Sequence, residues 1–292
     1  MRGLFLAAPT AAALLVVSSP VAAQTTTTVT TPATEEKPPL SFLPDHLVDR
    51  RMARSWGELP ARPFVATTID VGWVYVRPRV SLGYGKPFTS WVGIDLNPLA
   101  QTSGIGAYGG ARLSLPFVDL RVGSRYVYSF SHSYYDPSTS FTRVDLDGDS
   151  GIPAKLLTHE AELTLNIPAG PGDILLLGSA SIVTGIPEGQ FAFEETLHVI
   201  VKAPYVWRAR TGYSVRFGSA RQHSVGLVGE VLDVPRRDDS LTVRVGPVLR
   251  IVLSRRVEVR GSFVTTIFSP DRIGLVGGDF TELGVRYRWA TE

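Results

Sequence analysis

The chain has 292 residues, no cysteine, 19% charged residues and a formal net charge of +2. A charge that small leaves no electrostatic footprint for nucleic acid, and the missing cysteine excludes disulfides, thiolate metal sites and a lipidated N-terminal cysteine. Charged residues fall below the usual quarter while mean hydropathy is +0.10, which implies more apolar surface than a shell facing water tolerates.

The chain opens with Arg2, an apolar run from Gly3 to Val17 and the small residues Val21, Ala22 and Ala23. This is the pattern of a secretory signal over residues 1–23, cleaved after Ala23. Pro9 and the Ser18-Ser19-Pro20 break leave the run short of the roughly 20 apolar residues that a spanning helix needs. Residues 24–63 are expected to form a flexible periplasmic extension, because Gln24 to Pro39 has too few apolar side chains to offset the entropy of ordering. Within it, Leu40 to Arg62 spaces Leu47, Met52 and Trp56 for one helical face after a Pro44-Asp45 start signal. That segment is either a solvated lead-in resting Trp56 at a membrane interface or an element that plugs a lumen or touches periplasmic partners.

From residue 64 to 292 the dominant signal is a period of two. Phe117 to His132 sets Val118, Leu120, Val122, Tyr126, Tyr128 and Phe130 against Asp119, Arg121, Gly123 and Arg125. Tyr205 to Phe217 repeats the design, with Arg208, Arg210 and Arg216 on the polar face. Leu241 to Leu253 and Val257 to Ile267 follow, joined only by Ser254 to Arg256. The last segment alternates Leu283, Val285, Tyr287 and Trp289 with Gly284, Arg286 and Arg288. With Thr68 to Val76, Arg79 to Gly85, Trp91 to Leu96, Ala107 to Leu115, Leu156 to Ile167, Ile174 to Ile186 and Ser224 to Val234, this predicts an all-β transmembrane, antiparallel up-and-down barrel. Its strand number is about 12, in a range of about 10 to 14. Val76 to Arg79 reads as a turn because of Pro78. The long connections Ser133 to Ala154, Pro187 to Leu197, Pro235 to Ser240 and Ser269 to Gly278 alternate with short turns, as one long-loop and one short-turn end require. A soluble exported β-sandwich, with the aromatic face buried between sheets, is the fallback.

From signal through alternating segments to a final aromatic strand, the chain resembles Gram-negative outer-membrane β-barrel, porin-like proteins at the level of architecture, over about residues 64 to 289. The resemblance implies residence in the cell outer membrane, outer-membrane lipid as surroundings and insertion by the barrel-assembly machinery, which reads such a terminal strand. In that family the last residue is usually aromatic, whereas here Ala290, Thr291 and Glu292 follow Trp289.

Parity assigns Arg112, Arg121, Arg125, Arg208, Arg210, Arg216, Arg244, Arg250, Arg260, Arg286 and Arg288 to the interior. Unpaired, these permanently charged groups make a path that attracts anions. Paired with Asp119, Glu160, Glu162, Glu230, Glu258 and Glu282, they become a structural filling. Trp73, Tyr126, Tyr128, Trp207, Tyr213, Tyr287 and Trp289 are assigned to interfacial girdles rather than to a sugar-stacking surface. His132 beside Ser133 and His223 beside Ser224 point to opposite faces of a strand, a poor geometry for nucleophile and base, and His159 reads as interface decoration. No catalytic residue is assigned. Asp145, Asp147 and Asp149 alternate as calcium ligands do, but Leu156 stands where the bidentate glutamate belongs, so the loop reads as a hydrated cap, and neither a metal nor a cofactor is expected.

The leading expectation is porin-like passage of small anionic solutes through an arginine-rich, narrow lumen. The alternative is a non-conducting barrel anchoring a multi-protein envelope complex for motility or export, with periplasmic or outer-membrane protein partners. A third reading is an outer-membrane lipid-modifying enzyme.

Overall fold

Alternating side chains become a closed wall in the computed structural model, which describes residues 56, 59–72, 76–101, 104–130, 134–147, 154–194, 196–273 and 283–291. The signal-like segment, nearly all of the extension and Trp73 lie outside the described residues. In chain order the elements are β1 (Arg62–Gly72), β2 (Val76–Lys86), β3 (Ser90–Gln101), β4 (Gly104–Ser114), β5 (Val118–Ser129), β6 (Tyr134–Tyr135) and α1 (Arg143–Asp147). Then come β7 (Lys155–Ala169), β8 (Gly172–Thr184), β9 (Phe191–Glu194), β10 (Val199–Val201), β11 (Tyr205–Phe217), β12 (His223–Asp233) and β13 (Thr242–Val252). The last three are β14 (Val257–Ser262), β15 (Thr265–Phe268) and β16 (Gly284–Ala290).

Each wall strand pairs antiparallel with the next, and β12 with β13 and β16 with β1 close the ring. β14 and β15 share one register on β13, with Val248 opposite Ser262 and Val245 opposite Thr265. They are one wall strand interrupted where Phe263 meets Pro247, which has no N–H to give, although the Phe263 N–H still donates to the Pro247 carbonyl at 2.9 Å. The barrel therefore has 12 strands. The sheet closes on itself, which rules out the sandwich.

The expected turn at Val76 to Arg79 is not one. β2 starts at Val76 and carries Pro78 inside it, opposite Ile69 of β1. Pro78 in β2 and Pro98 in β3 both lack the N–H that a ladder needs, and the β2–β3 pairing is correspondingly interrupted between Val76↔Ala100 and Val80↔Leu96.

Outward positions are apolar around the wall: Leu82, Ile94, Leu113, Val122, Leu163, Trp207, Leu227 and Trp289 are all exposed, Leu227 at 59%. A soluble monomer does not expose a continuous belt of this kind, and strands of eleven to fifteen residues are long enough to cross hydrocarbon at a tilt. The closing seam continues past Trp289. Ala290 is buried beside Trp56 and Phe64, the Thr291 N–H donates to the Val65 carbonyl at 2.9 Å, and Arg62 donates to the Thr291 carbonyl at 2.7 Å.

Inside, one aromatic sets a close approach. The Tyr108 ring of β4 lies over Gly110 and Gly123, where an added Cβ would sit 2.3 and 2.6 Å from its hydroxyl oxygen. Gly123→Val is expected to destabilise the barrel by about 1–3 kcal/mol through overpacking, read as a lower urea midpoint in micelles. An unchanged midpoint would show that Tyr108 yields freely.

Candidate functional site

Strand alternation aims Arg121 and Arg125 (β5), Arg208, Arg210 and Arg216 (β11), Arg244 and Arg250 (β13), Arg260 (β14), and Arg286 and Arg288 (β16) at the lumen. Registers then bring carboxylates between them. Glu160 of β7 lies 3.3 Å from Arg125 and 3.9 Å from Arg121, and Glu162 accepts from Arg121 at 3.0 Å and from Arg208 at 2.8 Å. Glu230 of β12 continues the chain, 3.8 Å from Arg208, 2.7 Å from Arg210 and 3.0 Å from Arg244. The result is a belt of alternating sign around the inner wall from β5 to β13. Arg112 is held by Asp95 at 3.0 Å and Asp119 at 2.9 Å, and Arg216 by Asp173 at 2.7 Å. Burying a charge is costly unless it is matched, and along this belt each guanidinium faces a carboxylate.

Both ends of the belt finish on one loop. Between β8 and β11 the hairpin β9–β10 turns into the long-loop mouth, where Ala192, Val199 and Val201 pack on the inward residues Leu156, Val183, Val206 and Leu232. Glu194, only 3% exposed, places Oε1 3.0 Å from the Arg125 guanidinium and accepts the Leu197 N–H on Oε2 at 2.7 Å. At the far end Arg244 donates to the carbonyls of Leu197 and His198, each at 2.9 Å. A cap covers this hairpin. Arg237 donates to both oxygens of Asp271 at 2.6 and 2.5 Å, and Asp271 also accepts the Phe141 N–H at 3.0 Å. The Arg237 guanidinium lies over the rings of Phe141 and Phe191 at 5.4 and 5.7 Å.

The opposite sector of the lumen is cation-rich. The Glu258 carboxylate of β14 accepts from Arg250 at 2.9 Å, from Arg288 at 2.8 Å and from Arg260, with Arg286 at 3.8 Å. Arg286 also pairs with Asp70 across the seam. The side chains of Arg250 and Arg260 stay 43% and 41% exposed, and both lie in the half nearer the short turns. Arg79 donates to Asn97 at 3.3 Å and makes no ion pair among the described residues.

The remaining candidates are placed as follows. Tyr126, Tyr128, Trp207, Tyr213, Tyr287 and Trp289 are on outward positions, and Tyr213 donates to the Ala169 carbonyl at 2.8 Å. Trp56 is not at the lipid interface. It is buried at the short-turn mouth, edge-on to Phe88 at 5.0 Å, donating to the Arg255 carbonyl at 3.0 Å beneath the Arg255 guanidinium. Asp145 is committed to its own short helix α1: it accepts from the Thr142 N–H and hydroxyl, which hold its carboxyl below the usual range, and Asp149 lies outside the described residues. His223 accepts the Val252 N–H at 3.1 Å. Ser124 and His159, opposite each other on β5 and β7, bond at 2.8 Å on the outer face. Neither makes a further side-chain bond among the described residues.

Sequence reasoning missed Asp70, Asp95, Asp173, Glu194, Arg237 and Asp271. Asp70, Asp95 and Asp173 share the inward parity of their strands and were legible from it, while Glu194 ends the four-residue β9 and Arg237 and Asp271 lie in loops, where parity does not help.

No family model matches the sequence, and no curated protein matches it. Among solved structures the chain is similar to OccK11 (OpdR) of Pseudomonas aeruginosa, at 11% identity over 80% of this chain and 96% of that one, with a TM-score of 0.26. At that score the likeness says nothing of the lumen, and the barrel rests on its own strand pairing.

Asp271→Asn is expected to loosen the cap by about 3–5 kcal/mol, because it strands the Arg237 charge while leaving the barrel intact. Limited proteolysis should then cut the loops faster at unchanged heat-modifiability. Adding Arg237→Met should restore most of the protection, since the amide oxygen still accepts from Phe141; equal cutting in all three proteins would show that the pair does not hold the cap.

Proposed function

We propose that the protein is an outer-membrane barrel that passes small anionic solutes through a narrow, arginine-lined lumen, and that the conformation described is its closed one. A closed barrel with an apolar outer belt, a signal-like N-terminus and a terminal aromatic strand supports the location. One observation carries the anion preference: Glu258 is shared by Arg250, Arg260, Arg286 and Arg288, of which Arg286 also pairs with Asp70. Elsewhere in the lumen the arginines meet carboxylates almost one for one. Here the cations are in excess and two of them stay open, so a passing anion meets a fixed positive field where it sheds part of its hydration. Guanidinium offers paired donors to carboxylate or phosphate and does not deprotonate.

The filled long-loop half favours a second reading, a non-conducting barrel that anchors an envelope complex. Under it, deleting residues 40–62 abolishes co-purification of partners while the barrel still inserts.

Reversal potential in a planar bilayer under a salt gradient decides between them. The anion path predicts chloride preference, and Arg250→Glu with Arg260→Glu should reverse its sign. An unchanged potential in the double variant would remove the lumen argument, and silence of every variant would leave the anchor.

A further inference from the structure

Among the described residues, Glu194 at the hairpin tip is the carboxylate that joins the belt from outside the wall strands. Glu160, Glu162 and Glu230 belong to wall strands and cannot leave without breaking the barrel. Glu194 sits at the end of β9, next to a turn, and its grip on the wall is the 3.0 Å contact with Arg125. A second polar grip of the tip is the pair of carbonyls, Leu197 and His198, that receive the Arg244 guanidinium. The wall thus offers the tip two guanidiniums, and the tip answers with a carboxylate and two carbonyl oxygens. A free oxyanion presents the same acceptors to the same donors.

We propose that Glu194 is a tethered stand-in for the solute's anionic group, and that an oxyanion in the lumen takes its place on Arg125 and lets the tip, which carries Glu194, Leu197 and His198, swing off the wall. The proposal rests on the anion-path reading and adds its regulation: the solute opens its own path. Leaving Arg125 empty is costly, because its side chain is 5% exposed and would retain only Glu160 at 3.3 Å. Replacing one carboxylate by another anion keeps the guanidinium paired, so exchange is far closer to balance than simple release. The anion need not push the tip away. It binds the minor population in which the tip has already left and shifts the equilibrium by its preference for that state. β10 stays packed meanwhile, since Val199, Ile200 and Val201 are fully enclosed and their burial does not depend on Glu194.

The chain has no cysteine, so a single Leu197→Cys at the buried tip reports the swing without background. The full chain is reconstituted in lipid vesicles and labelled with a maleimide in sodium phosphate and in sodium chloride at equal pH and ionic strength, which removes plain screening as the cause. Labelling should be about tenfold faster in phosphate, a modest shift between two states. Adding Glu194→Gln should make labelling fast in chloride already and insensitive to phosphate. Labelling indifferent to phosphate with Glu194 in place overturns the proposal, and this comparison stands even where the Glu194→Gln variant fails to fold. Reversal potentials on the same vesicle protein separate the two levels. Anion-selective currents with phosphate-indifferent labelling sink the stand-in and leave the path, whereas currents that are absent in phosphate as well as in chloride, or that are cation-selective, sink the path and the stand-in with it.

Discussion

Much of the lumen follows from the cost of leaving a guanidinium without a hydrogen-bond acceptor. Twelve strands enclose a space that side chains nearly fill, so a charge there has little water to lean on. The belt from Arg125 through Glu160, Arg121, Glu162, Arg208 and Glu230 to Arg244 avoids that cost by alternating sign across five strands. Each link demands a particular cross-strand neighbour, so the belt also reinforces the register. Slipping any strand by one residue would turn its charges to the lipid and its leucines inward. The hairpin β9–β10 is drawn in by the same rule, because the two ends of the belt, Arg125 and Arg244, still have donors to satisfy and the tip supplies the acceptors.

The outer face obeys the opposite rule, and the two together define the wall. Backbone groups are satisfied by the closed ladder, which leaves the outward side chains free to be apolar. Where the ladder fails, at Pro78, Pro98 and Pro247, the chain compensates locally with an interrupted pairing or a split strand rather than with a turn. The seam between β1 and β16 extends through Ala290 and Thr291, which bond to β1 instead of lying free of it.

How much of this could be read beforehand depended on periodicity. The wall strands announced themselves because Leu120, Val122 and Tyr126 alternate with Arg121 and Arg125, and the same parity sent the arginines inward. The hairpin did not, since Val199, Ile200 and Val201 form a continuous apolar run too short to carry a period, and Phe191 to Glu194 is shorter than most wall strands by half. Glu194 and Asp271 gained their roles only through partners 69 and 34 residues away, Arg125 and Arg237. The Ser124–His159 contact needed a register that parity alone does not supply. Pro78 misled for a physical reason: a proline in an otherwise regular strand looks like a breaker until the neighbouring strand is seen to tolerate the missing donor.

The hairpin β9–β10 folds into the long-loop mouth from one connection, and removing that connection tests the account most directly. Planar-bilayer conductance would be compared between the full chain and a variant in which residues 188–200 are replaced by a short Gly-Ser linker. The account predicts a mostly silent wild type in chloride and a steadily open variant. Equal conductance in the two, or two equally silent barrels, would contradict it.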